Sequence, residues 1–424
     1  MKNNPKIFIG FSEVANFYSN ILKGFKKLNI EYEFFNYGEN KREYNPDLSK
    51  SIIQKGFSNL SKMQFSSKNR LLRSLFYIMH ILLRVPLFIY SVIKFDVFIF
   101  NYNSSFFGLY DLPILKFFNK KIIYTFHGSD SRPPYISGNY IYEDYSLEAV
   151  HKITKNLNKK NQTIDKYADY IICGPASTQF FNRKTINFQT IGLPIDLSTI
   201  KVDTVDIKNK QVTHIVHAPS TKKQKGSDIF FKIINELKED GYSIQYDELY
   251  NLPNIEVLKK LAVCDFVLDE IYSDTTVAGL ATEAAYFSKP TIVGGYYKQI
   301  GRDLNNIPIP PSLYVNPSEI KSAVVKLIED TQFRTALGND VKKYVSTLWT
   351  PEAVANRFLR IINNDIPQEW FFDASKSDYL YGWGVSKEDL KEFLKKYVGK
   401  FGKEGLFLSH NPILENKILE FIKE

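Results

Sequence analysis

Cysteine is almost absent from this chain. Its 424 residues include only Cys173 and Cys264, each inside an apolar, strand-like run, and no cysteine or histidine spacing typical of a zinc site occurs. Two isolated thiols cannot build a disulfide framework. We therefore expect a reduced, cytoplasmic protein whose fold depends on neither disulfides nor structural zinc.

Sequence signals of several other protein classes are missing as well. The first residues, MKNNPKIFIGFSEV, lack the apolar core of a secretory signal, because Gly10, Ser12 and Glu13 interrupt it. Neither a G-x-x-x-x-G-K-S/T phosphate loop nor a G-x-G-x-x-G dinucleotide turn occurs. These absences argue against a P-loop kinase or ATPase and against a standard dinucleotide-binding protein.

Positive charge and aromatic side chains are plentiful. The formal net charge is +9, and 33 Phe and 27 Tyr supply ample apolar surface for packed cores. A basic chain favours anionic partners such as nucleotides, phosphorylated lipids or membrane surfaces. We rank nucleic acid last and expect no such partner, because no basic and aromatic recognition module is present.

Short apolar runs alternate with helical patterns, which predicts parallel βαβ units. Two successive sets of similar size predict an α/β protein with two Rossmann-like domains. A polar linker to about 211 follows the first set, and Thr350 before Pro351 and Ser386 with Asp389 are typical of helix N-termini. The expected units are an N-terminal domain at 1–198, a C-terminal domain at 199–350, a helix at 351–364 that crosses back to the N-terminal domain, and a partly helical extension of unknown role at 365–424.

The segment 68–95 is basic, aromatic and strongly apolar. Arg70, Arg73 and Arg84 interrupt it and Pro86 would kink it, so its uncharged stretches are shorter than the roughly 20 residues that span a bilayer. We expect either an ordinary helix packed on a sheet or a helix that lies in an anionic membrane surface, but not a transmembrane helix.

Two stretches of the second half carry candidate chemistry. In HIVHAPSTKKQKGSD, a strand runs into a loop with spaced lysines, which is either a solvated connection or a site where Lys222 and Lys225 converge on one diphosphate. In TTVAGLATEAAYFSKPTIVGG, small residues begin a helix whose N–H groups would admit a phosphate. Glu283 in that helix is either a surface carboxylate or an acceptor for a ribose diol.

These stretches, together with YDELYNLPNIEVLKKLAVCDFVLDEI between them, resemble the donor domain of GT-B glycosyltransferases, most closely the retaining glycosyltransferase family four, which includes bacterial surface-polysaccharide enzymes. The likeness covers about 210–365 well. The N-terminal half is similar more loosely, through YTFHGSDSR and IGLPIDL.

The resemblance implies a site for a nucleotide diphosphate sugar in the C-terminal domain. The two lysines would hold the diphosphate and stabilise the leaving group, the glutamate at 283 would bind the ribose, and the backbone near 248 would meet the base. The donor-site residues it implies are Lys222, Lys225, Glu283, Ser220, Thr275, Thr276, Gly279 and Glu248.

The resemblance also implies residues on the acceptor side. His127 would be the catalytic residue that faces the sugar and the acceptor across the cleft. Ser12, Glu13 and Asp130 would border the acceptor, although the first two are equally typical of a helix cap and a first-turn acid.

The chain departs from the family pattern at important positions. Lys222 stands where an arginine is more common, and Thr275 replaces the first of two glutamates, with Asp274 next to it. The first glutamate of the family pattern contacts the transferred sugar, so this departure bears on which sugar is moved and on activity. There is no D-x-D pair, which agrees with a metal-independent enzyme that needs no cofactor.

We therefore expect a metal-independent hexosyl- or related transferase that moves a sugar from a nucleotide diphosphate sugar to a hydroxyl acceptor with retention of configuration. Its acceptor would be a glycan or lipid-linked glycan of a bacterial surface polysaccharide, and it would be cytoplasmic or peripheral on the inner face of the cytoplasmic membrane. A non-catalytic nucleotide-sugar-binding or scaffold subunit and, less favoured, a GT-B nucleotide-sugar epimerase are the alternatives.

Overall fold

The computed structural model describes residues 5–36, 69–143, 145–198, 212–296, 308–381 and 383–424, together with the positions Gly56, Asn59, Met63 and Ser66. Within those residues the chain forms a seven-stranded and a five-stranded β-sheet, with helices on their faces. The polar linker and the expected domain boundary at 198/199 border residues 199–211, which lie outside the described residues.

The first sheet belongs to the N-terminal half of the chain. Its strands are β1 Ile7–Phe11, β2 Tyr32–Asn36, β3 Val97–Asn101, β4 Lys121–Thr125, β5 Tyr170–Cys173 and β6 Lys184–Asn187, with Phe371–Asp373 from the C-terminal extension. The first six pair in parallel, whereas the extension strand pairs antiparallel with β6 at the edge. Every residue of β1 and β3 is buried, as expected for parallel strands covered on both faces.

The second sheet is parallel throughout and has five strands. They are β7 Thr213–His217, β8 Ile244–Glu248, β9 Phe266–Leu268, β10 Thr291–Gly294 and β11 Leu313–Val315, and the edge strand Phe371–Asp373 of the first sheet is β12. The strand order is β11-β10-β9-β7-β8. In open parallel sheets, ligands bind beyond the carboxyl ends of the strands, so the loops after β4, β7 and β9 are the ones that bear on function.

Fifteen α-helices are present in the described residues, and several have the predicted capping. Thr350 accepts a hydrogen bond from the N–H of Ala353 at 3.2 Å, and Ser386 accepts one from Asp389 at 3.0 Å, which confirms both predicted N-caps. The helices are α1 Phe17–Lys27, α2 Arg70–Lys94, α3 Leu112–Phe117, α4 Gly138–Ile141, α5 Leu147–Tyr167, α6 Phe188–Ile191, α7 Lys222–Lys225, α8 Ser227–Glu239, α9 Asn254–Val263, α10 Gly279–Tyr286, α11 Ile320–Glu329, α12 Thr331–Leu348, α13 Pro351–Ile362, α14 Lys387–Phe401 and α15 Pro412–Phe421.

Helix α13 returns the chain to the first sheet. Val354, Ala355 and Phe358 are buried in the same core as residues of β1 and α1. The approach to α1 is close at Gly24, where a Cβ atom would lie 2.1 Å from the carbonyl oxygen of Pro351. A larger residue at that position would force the two helices apart.

The C-terminal extension packs on the N-terminal domain. Its helices α14 and α15 bury apolar residues against α5 and the loop around Tyr135, whose hydroxyl donates to the carbonyl of Leu406 at 2.9 Å. The extension shares this core with the N-terminal domain and is an integral layer of it. The extension residues in this core are Leu380, Val385, Leu390, Leu394, Tyr397, Leu406, Leu408, Leu414, Ile418 and Phe421.

Helix α2 is long, apolar and largely exposed. It runs through Pro86, buries Leu87 and Phe88 near its C-terminal end, and leaves Leu82 and Ile93 63% and 80% exposed. By length and composition it is the one helix among the described residues that would be able to cross a membrane. Core helices of soluble proteins pass the same test, so length and composition alone do not assign it to a bilayer.

Candidate functional site

A cavity of about 340 Å³ lies between the two domains. Its walls are the loops that follow the carboxyl ends of strands in both sheets, which is where parallel sheets place ligand sites. The polar side chains that line it from the N-terminal domain include His127, Arg132 and Gln189, and those from the C-terminal domain include Ser220, Lys225, Asp269, Asp274, Thr275, Thr276 and Glu283.

His127 lies directly after β4 and enters the cavity wall from the N-terminal domain. Its ring packs between Phe17 and Phe188, with ring centroids 4.4 and 5.2 Å away. Its Nε2 atom lies 3.3 Å from the hydroxyl of Tyr18, while Nδ1 is buried with no partner in the described part of the chain. Burial lowers the pKa of His127 from 6.5 to about 3, so the ring is a neutral imidazole at physiological pH.

The three lysines of the loop after β7 point in three directions from the short helix α7. Lys225 lines the cavity, is 13% exposed and pairs with Glu270 at 2.8 Å. Lys222 instead pairs with Glu248 at 2.5 Å outside the cavity, and Lys223 lies 4.5 Å above the ring of Tyr142. The expected convergence of Lys222 and Lys225 on one ligand is therefore not present in this structure.

Two acidic residues that follow β9 are part of the site, although neither was among the residues expected from the sequence. Glu270 is 1% exposed and accepts hydrogen bonds from Lys225 and from the indole N–H of Trp383. Asp269 lines the cavity, and burial raises its pKa to about 6. The signal was present in FVLDEI, where two acids follow an apolar strand at the carboxyl edge of a parallel sheet.

The positive charge of Lys225 is therefore offset by neighbouring carboxylates. Burial alone lowers the pKa of Lys225, but the neighbouring charges of Glu270 and Asp269 more than offset this and leave the pKa raised. The ammonium group is therefore charged, and a ligand phosphate would have to share it with Glu270.

The N-terminus of α10 faces the cavity with small residues. Thr275 accepts a hydrogen bond from the amide of Gln189 at 2.7 Å, and Thr276 donates to the carbonyl oxygen of the same side chain. Gln189 belongs to the N-terminal domain, so these threonines link the two domains. At Gly279 a Cβ atom would meet nothing within 4 Å, which leaves open space beside the helix N-terminus.

Glu283 lies one turn into α10 and also lines the cavity. Its Oε1 atom accepts a hydrogen bond from Asn254 at 2.9 Å. Burial raises the pKa of Glu283 to about 7, against the smaller opposing effect of that hydrogen bond. It is thus a titrating carboxyl group inside the cavity and not the solvated surface charge that was the alternative.

An ion pair joins the two domains at the cavity wall. Arg132 follows β4, Asp274 follows β9, and their side chains pair directly while only 2% and 5% exposed. Asp274 stood out in the sequence as the neighbour of Thr275, but its pairing with Arg132 depends on how the domains meet and carries no local signal.

The acceptor-side candidates lie next to the cavity and do not line it. Glu13 accepts hydrogen bonds from the N–H groups of Tyr18 and Ser19 at 3.0 and 2.8 Å. It lies before α1, whose N-cap is Asn16, so neither Ser12 nor Glu13 holds the cap or first-turn position that was the alternative. Asp130 accepts from the N–H of His127 at 3.2 Å, and burial raises its pKa to about 6. Ser12 precedes Glu13 and likewise does not line the cavity.

The structure thus brings together part of the expected site. It places His127, Ser220, Lys225, Thr275, Thr276, Gly279 and Glu283 on one cavity. It leaves Lys222, Glu248, Ser12, Glu13 and Asp130 off the cavity lining.

Comparisons with known proteins identify the fold. No protein-family model and no curated protein matches the sequence. Among solved structures, the catalytic domain of starch synthase IV from Arabidopsis thaliana, bound to ADP and acarbose, is similar over 85% of this chain and 99% of that chain, with a TM-score of 0.50 and 9% identity. The N-terminal domain of Candida albicans trehalose-6-phosphate phosphatase matches over 86% and 98%, with a TM-score of 0.49 and 12% identity. HepE of Anabaena in complex with UDP matches over 85% and 100%, with a TM-score of 0.47 and 12% identity.

The likeness to the starch synthase domain bears on the fold alone. The chain has the GT-B fold of glycosyltransferases, in which two Rossmann-like domains enclose a cleft, and this confirms the predicted fold class. At 9% identity the likeness defines the architecture and not the reaction.

Proposed function

We propose that this protein is a glycosyltransferase that moves a sugar from a nucleotide diphosphate sugar to a hydroxyl acceptor. The observation that carries the proposal is the interdomain cavity, because it combines a neutral histidine from one domain with a cation, a helix N-terminus and a carboxyl group from the other. The similar starch synthase was solved with ADP, a nucleoside diphosphate.

Each donor group would have a partner in this cavity. Lys225 and the N–H groups at the start of α10 would bind the diphosphate, and both would stabilise the charge that develops on the leaving group. Glu283 would accept hydrogen bonds from the ribose. His127 has a buried Nδ1 without a partner in the described residues, which suits a hydrogen bond to the sugar or acceptor.

The finer assignment rests on the sequence resemblance. We infer a retaining, metal-independent hexosyl- or related transferase of glycosyltransferase family four that acts on a glycan or lipid-linked glycan of a bacterial surface polysaccharide. It would be cytoplasmic or peripheral on the inner face of the cytoplasmic membrane, with the segment 68–95 on the anionic surface. The absence of a D-x-D pair supports metal independence, and the exposed apolar side chains of α2 support the membrane position.

A non-catalytic nucleotide-sugar-binding subunit is a second candidate, favoured by one observation. Both lysines assigned to the diphosphate are already paired, Lys225 with Glu270 and Lys222 with Glu248. A donor would compete with these carboxylates. Such a subunit would bind a nucleotide sugar but would not release the nucleotide when acceptors are added.

The proposal is tested by calorimetric titration of UDP-, GDP-, ADP- and CMP-sugars into the wild-type protein, Lys225→Met and the matched control Lys223→Met. We expect one nucleotide class to bind, with affinity about 10- to 100-fold weaker in Lys225→Met, because a charge-assisted hydrogen bond is lost. Lys223→Met should bind as the wild type does, since Lys223 faces Tyr142 and not the cavity.

Two results would count against the proposal. If no nucleotide sugar binds, the proposed donor site is wrong. Binding without nucleotide release across a panel of glycan acceptors would instead favour the non-catalytic subunit. A Glu270→Gln substitution in the Lys225→Met background separates loss of the cation from the effect of leaving Glu270 buried and unpaired.

A further inference from the structure

Arg132 is a buried guanidinium on the cavity wall with part of its hydrogen-bonding capacity unused. It is 2% exposed and lies five residues after His127. Its Nη2 atom contacts the carboxylate of Asp274 and the hydroxyl of Ser177, the latter at 3.4 Å. Its Nε and Nη1 atoms are buried and have no hydrogen-bond partner in the part of the chain that the structure describes.

This arrangement is unusual for a purely structural ion pair. A guanidinium has five N–H donors in a planar fork, and a buried arginine normally fills that fork with a carboxylate or with carbonyl groups. Leaving buried donors without acceptors costs free energy. A ligand that brings several oxygen atoms into the cavity would supply the missing acceptors, and a phosphate group has the matching geometry.

We propose that Arg132 is an anion-binding residue that holds a phosphate group of the ligand from the N-terminal side of the cavity, opposite Lys225. This rests on the proposed function and deepens it, because it makes both domains contribute a cation to the donor diphosphate. The ligand class is a pyrophosphate or a nucleoside diphosphate.

Asp274 then acts as an internal competitor for the ligand. It comes from the C-terminal domain and neutralises Arg132, as Glu270 neutralises Lys225. Both cations that line the cavity among the described residues are therefore paired with carboxylates that follow β9. When a phosphate binds, it takes the place of the Asp274 carboxylate on Arg132, and the two domains are then joined through the ligand by Arg132 on one side and Lys225 on the other.

The test uses inorganic pyrophosphate, which carries no base, ribose or sugar. Its affinity is measured by calorimetry for the wild type, Arg132→Gln, Asp274→Asn and the control Arg183→Gln, whose side chain binds backbone carbonyls of 168 and 169 and does not line the cavity. We expect about tenfold weaker binding in Arg132→Gln and severalfold tighter binding in Asp274→Asn, because the competing charge is removed. Arg183→Gln should bind as the wild type does.

Whether Asp274→Asn raises or lowers the affinity for pyrophosphate distinguishes an anion-binding role of Arg132 from a purely structural role. If the ion pair only joins the domains, Asp274→Asn binds pyrophosphate no better than the wild type, and the proposal is overturned. It is also overturned if wild-type protein does not bind pyrophosphate. Should Asp274→Asn fail to fold, Arg132→Lys decides the matter. It keeps the charge without the fork, so affinity between those of the wild type and Arg132→Gln supports the proposal, and wild-type affinity contradicts it.

This outcome is distinguishable from failure of the proposed function. Nucleotide sugars that bind equally well to wild type and Arg132→Gln would overturn the role of Arg132 and leave the donor site intact. If pyrophosphate binding depends on Arg132 but no nucleotide sugar binds, the proposed glycosyltransferase function is wrong, and the role of Arg132 in anion binding is supported.

Discussion

Glu283 shows how a single side chain can make ligand binding depend on pH. Its pKa of about 7 means that the group is mostly protonated at pH 6 and mostly ionised at pH 8. An ionised carboxylate can accept hydrogen bonds from both hydroxyls of a ribose, whereas the protonated form offers fewer acceptors. The affinity for a ribonucleotide therefore contains a contribution that rises with pH through 7.

We predict that nucleoside diphosphate affinity, relative to that of pyrophosphate, increases severalfold between pH 6 and pH 8, and that Glu283→Gln removes this increase. Pyrophosphate is the control because it has no ribose and shares the other titrating groups of the cavity. Calorimetric titrations at the two pH values provide the measurement. An equal increase in the glutamine variant would assign the effect to another group, such as Asp269.

The same pKa shift has a consequence for stability. Between the ordinary glutamate pKa and about 7, the folded protein keeps a proton that the unfolded chain releases. The contribution of Glu283 to the free energy of unfolding therefore falls as pH rises through this window, and Glu283→Gln should be less sensitive to pH there. Chemical denaturation of both proteins at pH 5 and pH 8 checks the sign.

At the scale of single residues, the sequence predicted side chains whose type and local pattern were informative. Lys225 and Glu283 stood out because a cation after a strand and a carboxyl among small residues are unusual settings. Arg132 and Asp274 are 142 positions apart, and their pairing is created only when the two domains meet. No local pattern contains that information, so only the structure could supply it.

Most helices and strands were predictable from the sequence, because their formation depends on patterns of neighbouring residues. Alternating apolar runs and helical periods depend on a few neighbouring residues, so this alternation predicted most strands of both sheets, but it did not predict β6 or β12. The lysine loop was read less well. It forms the short helix α7, which separates the three ammonium groups. As a result, Lys222 forms an ion pair with Glu248 and does not reach the cavity.

Helix α2 exposes an apolar surface that the proposed membrane position would bury. Exposed apolar residues of this extent on one helix favour a binding surface, and the exposed Arg70 and Arg73 add charge that would attract anionic lipid. Leu82 and Ile93 are two of the most exposed positions, so polar substitutions there should leave the fold unchanged.

We predict that the wild-type protein floats with vesicles containing anionic lipid and that Leu82→Glu with Ile93→Glu reduces the floating fraction strongly. Phe231→Glu is the matched control, since Phe231 is 56% exposed on a helix of the other domain. Flotation should be weaker with neutral vesicles, because the attraction to basic side chains is lost. Failure of the wild type to float with anionic vesicles would remove the membrane position from the proposal.

For the whole molecule, the two-domain architecture followed from the repeated α/β pattern, but the role of the C-terminal extension did not. Trp383 accepts a hydrogen bond from the N–H of Gly138 through its carbonyl at 2.9 Å and donates its indole N–H to Glu270. The next residue, Gly384, donates to the carbonyl of Tyr272 at 3.0 Å. The extension therefore contacts both domains beside the cavity, and these contacts depend on tertiary packing that an aperiodic, aromatic tail does not reveal.

The net charge of the chain predicted the kind of partner for the whole molecule but not the charge balance inside the cavity. A balance of +9 suggested anionic partners, yet Lys225 and Arg132, which line the cavity, are both paired with buried carboxylates. The net charge of the protein attracts an anionic ligand over distance. Inside the cavity, however, the ligand must displace the carboxylates that are paired with the two cations.

The most direct measurement is a crystal structure of the protein with the nucleotide sugar that binds most tightly in the calorimetric panel. We predict that the diphosphate lies between Lys225 and the N-terminus of α10, with the ribose at Glu283 and the sugar facing His127. A nucleotide bound outside the interdomain cavity, or one whose diphosphate makes no contact with Lys225, would contradict the proposed donor site.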